Sequence, residues 1–219
     1  SSAASDVYKR QLPKGCKGPY PTVIFCGGLD SLQSDYVNFF RRYLSPKGIA
    51  MLTVDMPSIG YSVKQKLSEN TCQLHGDILQ QLGDIPWIDH TRVGVMGFRF
   101  GANIAVRLAY LYPKLIKGVV ALGPLIHAFF TQAELQKKIP IMYLDVLASR
   151  LGLLNIDENN LRLSLSSYSL KNQGLIGRRM PVPMMSVYWK GDEISPKEDS
   201  QLIARSSMDG DIVEIKEKP

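Results

Sequence analysis

Long apolar runs are missing from this chain. None approaches the roughly 18 residues that a membrane-spanning helix needs, so no membrane partner is expected. No charged opening leads into an apolar core, so no secretory signal is read. Cysteine is scarce: Cys16, Cys26 and Cys72 are widely spaced, without a Cys-x-x-Cys pair. An odd number cannot all pair internally, and the pattern suits a reducing, cytoplasmic compartment. The three histidines, His75, His90 and His127, and the three cysteines show no metal-ligand spacing. No metal site is expected, and no segment calls for a cofactor. The net charge of +6 is scattered along the chain, without a basic patch or a reading motif, so nucleic acid is not an expected partner. Internal repeats, low-complexity stretches and heptads are absent as well.

What remains is the composition of one globular domain with a sizeable core: 219 residues, 45% hydrophobic and 21% charged. Strand-like and helix-like segments alternate, which predicts an α/β fold with a mostly parallel, doubly wound sheet. Short apolar runs at 22–26, 49–54, 92–96, 117–122 and 184–189 read as buried strands, with a further strand at 212–215. Helices are predicted at 35–46, where Tyr36, Phe39, Phe40 and Tyr43 recur at helical spacing, and at 67–82, 102–112 and 197–206. Residues 126–180 break the rhythm. They carry apolar residues at helical spacing and no clear strand, and read as a helical cap insertion over the sheet edge.

Gly97-Phe98-Arg99-Phe100-Gly101 lies between a strand and a helix. Strand, Gly-x-x-x-Gly, helix is the local grammar of a nucleophile elbow, whose middle residue is presented at a helix N-terminus above the sheet. Three further features stand in the order that an α/β-hydrolase fold requires. Gly27 and Gly28 follow the first predicted strand and are candidates for an oxyanion hole, together with the Phe100 N–H. Asp55-x-Pro-x-x-Gly60-x-Ser62 follows the next. Gly191-Asp192 with Pro196 follows the strand at 184–189, in the place of a triad acid.

Arg99 holds the nucleophile position, and a guanidinium stays protonated and cannot attack a carbonyl. All three histidines precede Asp192, whereas a hydrolase of this order needs one after it. Arg99 therefore reads either as an anion site at a helix N-terminus or as the partner of a carboxylate, Asp55 or Asp192, that plugs a dead site. Asp55 reads as a turn residue. Ser31, Ser58 and Ser62 are hydroxyls near the site without a visible base. His127 is a candidate recruited base or a structural histidine, His90 a loop residue, and His75 a residue on a helix face.

The runs at 25–31 (FCGGLDS), 55–58 (DMPS), 86–92 (PWIDHTR), 97–103 (GFRFGAN), 143–152 (YLDVLASRLG) and 188–190 with Ser195-Pro196 closely resemble the FrsA family of fermentation–respiration switch proteins. The resemblance spans nearly everything from Val7 onward, and that family's elbow also looks like one carrying arginine. It implies an α/β-hydrolase fold, a cytosolic bacterial setting and carboxylic-ester hydrolysis. It further implies binding to unphosphorylated glucose-specific enzyme IIA of the sugar phosphotransferase system. A small ester or carboxylate is the implied ligand. If no turnover occurs, the alternative is a catalytically degenerate fold used as a regulatory binding protein. Residues 1–11 read as a leader, in part non-native, although Val7-Tyr8-Lys9 is able to begin a strand. Residues 12–219 read as the hydrolase domain, incomplete at both ends, with its C-terminal segment missing.

Overall fold

A computed structural model of the chain describes residues 8–59, 67–70, 72–153 and 156–217. Seven strands form one sheet in the order β1-β3-β2-β4-β5-β6-β7. They are β1 (Tyr8–Gln11), β2 (Tyr20–Cys26), β3 (Ala50–Val54), β4 (Ile88–Phe98), β5 (Val119–Leu122), β6 (Met184–Trp189) and β7 (Gly210–Ile215). Only β1 runs antiparallel, pairing with β3; the remaining pairs are parallel. Residues 8–11, read from sequence as part of a leader, are thus an edge strand. Val7 lies outside the described residues.

β3 is buried along its whole length, which is why its sequence is apolar without alternation. β4 is longer than its apolar part. Its first turn of polar residues, Asp89 to Arg92, extends the strand into solvent, so His90 is an exposed strand residue and not a loop residue.

The helix predicted at 35–46 falls within coiled residues 33–47, which are not one regular helix. Gln33–Tyr36 is 3-10, α1 (Val37–Phe39) is a single α turn, Phe40–Leu44 is π and Ser45–Lys47 is 3-10 again. Packing explains the irregularity. Phe40 and Leu44 are buried against Phe25 and Met51 of the sheet, and the Phe25 ring lies 4.1 Å from that of Tyr36. Aromatic bulk, more than backbone periodicity, sets the path.

α2 (Gln73–Gln81) is shorter than the predicted 67–82, and residues 60–66 and 71 are outside the described set. α3 (Phe100–Leu111) runs under the sheet and is almost wholly buried. Ala102, Ala105 and Ala109 give it a small face for close approach, and Ile104 and Leu108 fill the space beside it. Full burial of side chains such as Ile104 or Leu108 stabilises by about 1.5–3 kcal/mol each.

Between β5 and β6 stand four helices: α4 (Ala128–Thr131), α5 (Ala133–Gln136), α6 (Ile141–Leu151) and α7 (Glu158–Ser166). Buried Asp199, on α8 (Lys197–Arg205), fixes where this segment leaves the sheet. Its carboxylate accepts the N–H groups of Ile126, His127 and Ala128 at 2.8, 3.0 and 3.0 Å. Among the described residues, no helix is long and apolar enough to cross a membrane.

Candidate active site

The strand-to-helix turn at 97–101 is a tight elbow. Arg99 takes φ 55° and ψ −114°, a left-handed backbone that costs a non-glycine residue on the order of 1–3 kcal/mol. Three hydrogen bonds hold it there: Arg99 N–H donates to Leu122 O, while Arg99 O accepts from Ala102 and Leu125. The two glycines are required by contact with backbone. A β-carbon on Gly101 would meet Cys26 O at 2.0 Å, and one on Gly97 would meet Gly101 O at 2.1 Å.

From this turn the Arg99 side chain reaches the triad-acid position. Its Nη1 donates to Asp192 Oδ2 at 2.5 Å, and the two side chains are only 17% and 3% exposed. Asp192 Oδ1 accepts from the Ile194 and Ser195 N–H groups at 3.1 and 3.2 Å, so both oxygens are occupied. The Arg99 guanidinium also lies over two aromatic rings, 5.4 Å from the Phe98 centroid and 5.5 Å from that of Trp189. Gly123 leaves the room for this: a β-carbon there would stand 2.7 Å from the Trp189 ring and 2.9 Å from Arg99 Nη1. Of the two carboxylates considered for Arg99, the structure selects Asp192. Asp55 is buried elsewhere and accepts the Gln33 N–H at 2.7 Å and its Nε2 at 3.1 Å, a structural role.

Arg99 also lines a cavity of about 410 Å³ under the cap. Its walls are mainly apolar, from Leu29, Phe98, Leu125, Phe129, Leu147 and their neighbours, and among the described residues its polar side chains are Asp30, Arg99 and Tyr143. Phe100, the first residue of α3, is on the wall, so the cavity meets the positive end of that helix. Tyr143, on cap helix α6, donates to Asp30 Oδ2 at 2.6 Å and ties the cap to the turn after β2. Burial, then the bond to Asp30 and its charge, push the Tyr143 hydroxyl up to about 12. Neither Asp30 nor Tyr143 stands out in sequence as a site residue. Asp30 sits in the Gly27-Gly28 turn, which is the only local signal, and nothing in the sequence around Tyr143 marks its partner.

Gly28 donates its N–H to Tyr36 Oη at 3.4 Å, so that group is engaged within the fold, and it is Leu29 that reaches the cavity wall. Ser58 Oγ donates to the carbonyl of Pro57, and Ser31 Oγ contacts Asp30 Oδ1 at 3.4 Å; neither faces a histidine. Ser62 lies outside the described residues. His127 is turned away from Arg99, its Nδ1 2.7 Å from Ser169 Oγ, beside a separate polar cavity with Lys171 and Arg205. His75 is wholly buried in α2. Among the described residues, no cluster of His, Cys, Asp and Glu is arranged to hold a metal ion.

A family model described as Esterase FrsA-like matches residues 8–219. Proteins called Esterase FrsA are 58% identical in Photorhabdus laumondii, 56% in Serratia proteamaculans and 55% in Escherichia coli O157:H7, each over 95% of this chain and 50% of the relative. The chain therefore spans half the length of the curated relatives it matches. Among solved structures, 2,6-dihydroxy-pseudo-oxynicotine hydrolase superposes with a TM-score of 0.80 at 17% identity, covering 96% of this chain and 57% of the other. The carboxylesterase EstE1 superposes with 0.70 at 18%, covering 95% and 73%. These likenesses are of fold, and the fold is that of the α/β hydrolases.

Proposed function

Because this chain belongs to the FrsA-like esterase family, we propose that its cavity takes the acyl part of a small carboxylic ester and that hydrolysis there runs without a serine nucleophile. One observation carries the reading: the elbow delivers a cation, Arg99, to the wall of an apolar cavity at the positive end of α3. An ester carbonyl becomes negative at oxygen when it is attacked. A guanidinium and a helix-terminal N–H, both fixed before the reaction, stabilise that charge. Arg99 has five N–H donors and commits one nitrogen to Asp192. Its role is electrostatic. The apolar wall suits an acyl chain. The free thiols of Cys16, Cys26 and Cys72 suit a reducing cytoplasm.

A second reading keeps the binding and drops the turnover. The Arg99–Asp192 pair balances the charge of both side chains, and no histidine lines the cavity among the described residues. On this reading the site holds a small carboxylate, and the protein is regulatory, with unphosphorylated glucose-specific enzyme IIA as its partner.

Hydrolysis of p-nitrophenyl butyrate by the full chain separates the two. The hydrolase reading expects turnover above background that falls on the order of 100-fold in Arg99→Ala, as for loss of an oxyanion donor. Turnover equal in parent and variant removes it. Titration with phosphorylated and unphosphorylated enzyme IIA tests the partner.

A further inference from the structure

If Arg99 supplies charge and no serine stands at the elbow, some group must take a proton from the attacking water. The cavity wall narrows the choice. Among the described residues, Asp30, Arg99 and Tyr143 are the titratable ones on it. Arg99 cannot accept a proton. The Tyr143 hydroxyl is committed as a donor to Asp30. Asp192 has both oxygens engaged and its side chain is 3% exposed.

Of the described residues Asp30 remains, and its placement suits the task. A β-carbon built on Gly28 would lie 3.1 Å from Asp30 Oδ1 and 3.6 Å from the Phe98 ring. The carboxylate thus sits against the turn beside the elbow, and the same Phe98 ring carries the Arg99 guanidinium. Base and cation line the same cavity wall, to which Phe98 also contributes. Tyr143 Oη fixes Oδ2, and among the described residues Oδ1 has the long 3.4 Å contact to Ser31 Oγ.

We propose that Asp30 is the general base of this cavity and that Tyr143 is the positioning residue that aims it. The proposal rests on the ester-hydrolase reading above. Asp30 Oδ1 takes a proton from water as the water oxygen bonds to the ester carbonyl carbon. The carbonyl π pair moves to its oxygen, opposite Arg99 and the Phe100 N–H. The tetrahedral intermediate re-forms the carbonyl, the bond to the leaving oxygen breaks, and that oxygen takes the proton back from Asp30. One water enters, one acid and one alcohol leave, and the carboxylate is restored. Among the described residues, the titratable groups that meet Asp30 are Tyr143 from α6 and Tyr36 from the turn at 33–36; Arg99 acts on Tyr143 from the elbow, and Asp35 acts on Tyr36.

The test is the pH profile of p-nitrophenyl butyrate hydrolysis by the full chain, with Asp30→Asn and Tyr143→Phe beside it. Asp30 is exposed, so its variants keep the fold, which thermal melting checks. Asp30→Asn is expected to lose about 100-fold or more in kcat with KM little changed. Formate is expected to restore part of the turnover of Asp30→Ala. A hydroxyl that donates to a carboxylate favours its ionised form, so Tyr143→Phe is expected to move the acid limb of the profile to higher pH. Turnover in Asp30→Asn equal to the parent overturns the base assignment alone. An unmoved acid limb in Tyr143→Phe overturns the positioning role. A parent without turnover overturns the hydrolase reading and this assignment with it.

Discussion

Arg99 and Asp192, 93 residues apart in sequence, meet through Nη1 and Oδ2 at 2.5 Å, in the two places where a serine hydrolase keeps its nucleophile and its acid. Two backbone N–H groups hold the far oxygen of Asp192. A triad acid works by orienting a histidine; Asp192 holds a cation instead.

Arg99→Ala leaves a carboxylate that is 3% exposed without its cation. Breaking one side of such a pair costs about 3–5 kcal/mol, and the two N–H groups hold the loss toward the lower end. Urea melts of Arg99→Ala, Asp192→Asn and the double variant measure it. The double variant is expected to be more stable than the sum of the single losses predicts; additive losses would show that the pair is not coupled.

Gly101→Ala forces a β-carbon to 2.0 Å from the Cys26 carbonyl, which belongs to the rigid sheet. Little or no soluble folded protein is expected. Gly83→Ala is the control, since nothing lies within 4 Å of its β-carbon. Its stability is expected within about 0.5 kcal/mol of the parent. Equal melting of the two variants would refute the packing argument.

His75 is fully buried, and neither ring nitrogen has a hydrogen-bond partner among the described residues. Burial lowers its pKa from 6.5 to about 4. Above pH 6.5 the ring is neutral folded or unfolded, and it contributes no pH dependence. As pH falls from 6.5 toward 4 the unfolded chain takes up a proton that the folded chain refuses. Stability then drops, on the order of 3 kcal/mol by the lower value. Urea midpoints across that range should fall in the parent, and the slope should flatten in His75→Leu. An unchanged slope would assign the acid sensitivity elsewhere.

Asp199→Ala removes the acceptor of three N–H groups where the cap segment leaves β5. Buried donors left without partners cost about 1–3 kcal/mol. The melting temperature is expected to fall. If the cap then loosens, KM for the ester rises more than kcat falls. An unaltered melting temperature would mean that water replaces the carboxylate without loss.

The sheet and the elbow were legible in sequence for physical reasons. Parallel strands buried on both faces are written as unbroken apolar runs, and β3 at Ala50–Val54 is the clearest case. The elbow needs glycine where backbones touch, so Gly97 and Gly101 mark it. Asp192 was legible because a tight turn follows its strand. The Asp30–Tyr143 contact was not. It joins residues 113 positions apart, one on a cap helix whose placement no local pattern specifies. The occupation of the Gly28 N–H by Tyr36 escaped for the same reason, since it depends on how an irregular coil packs.

The geometry of residue 99 is set by its neighbours and not by its own side chain. Leu122, Ala102 and Leu125 hold its backbone, and Gly97 and Gly101 admit nothing bulkier. The turn is therefore a socket: it aims whatever it holds toward the cavity, and it sets direction without setting chemistry. A single codon at that position is enough to exchange one electrostatic character for another while the scaffold stays as it is.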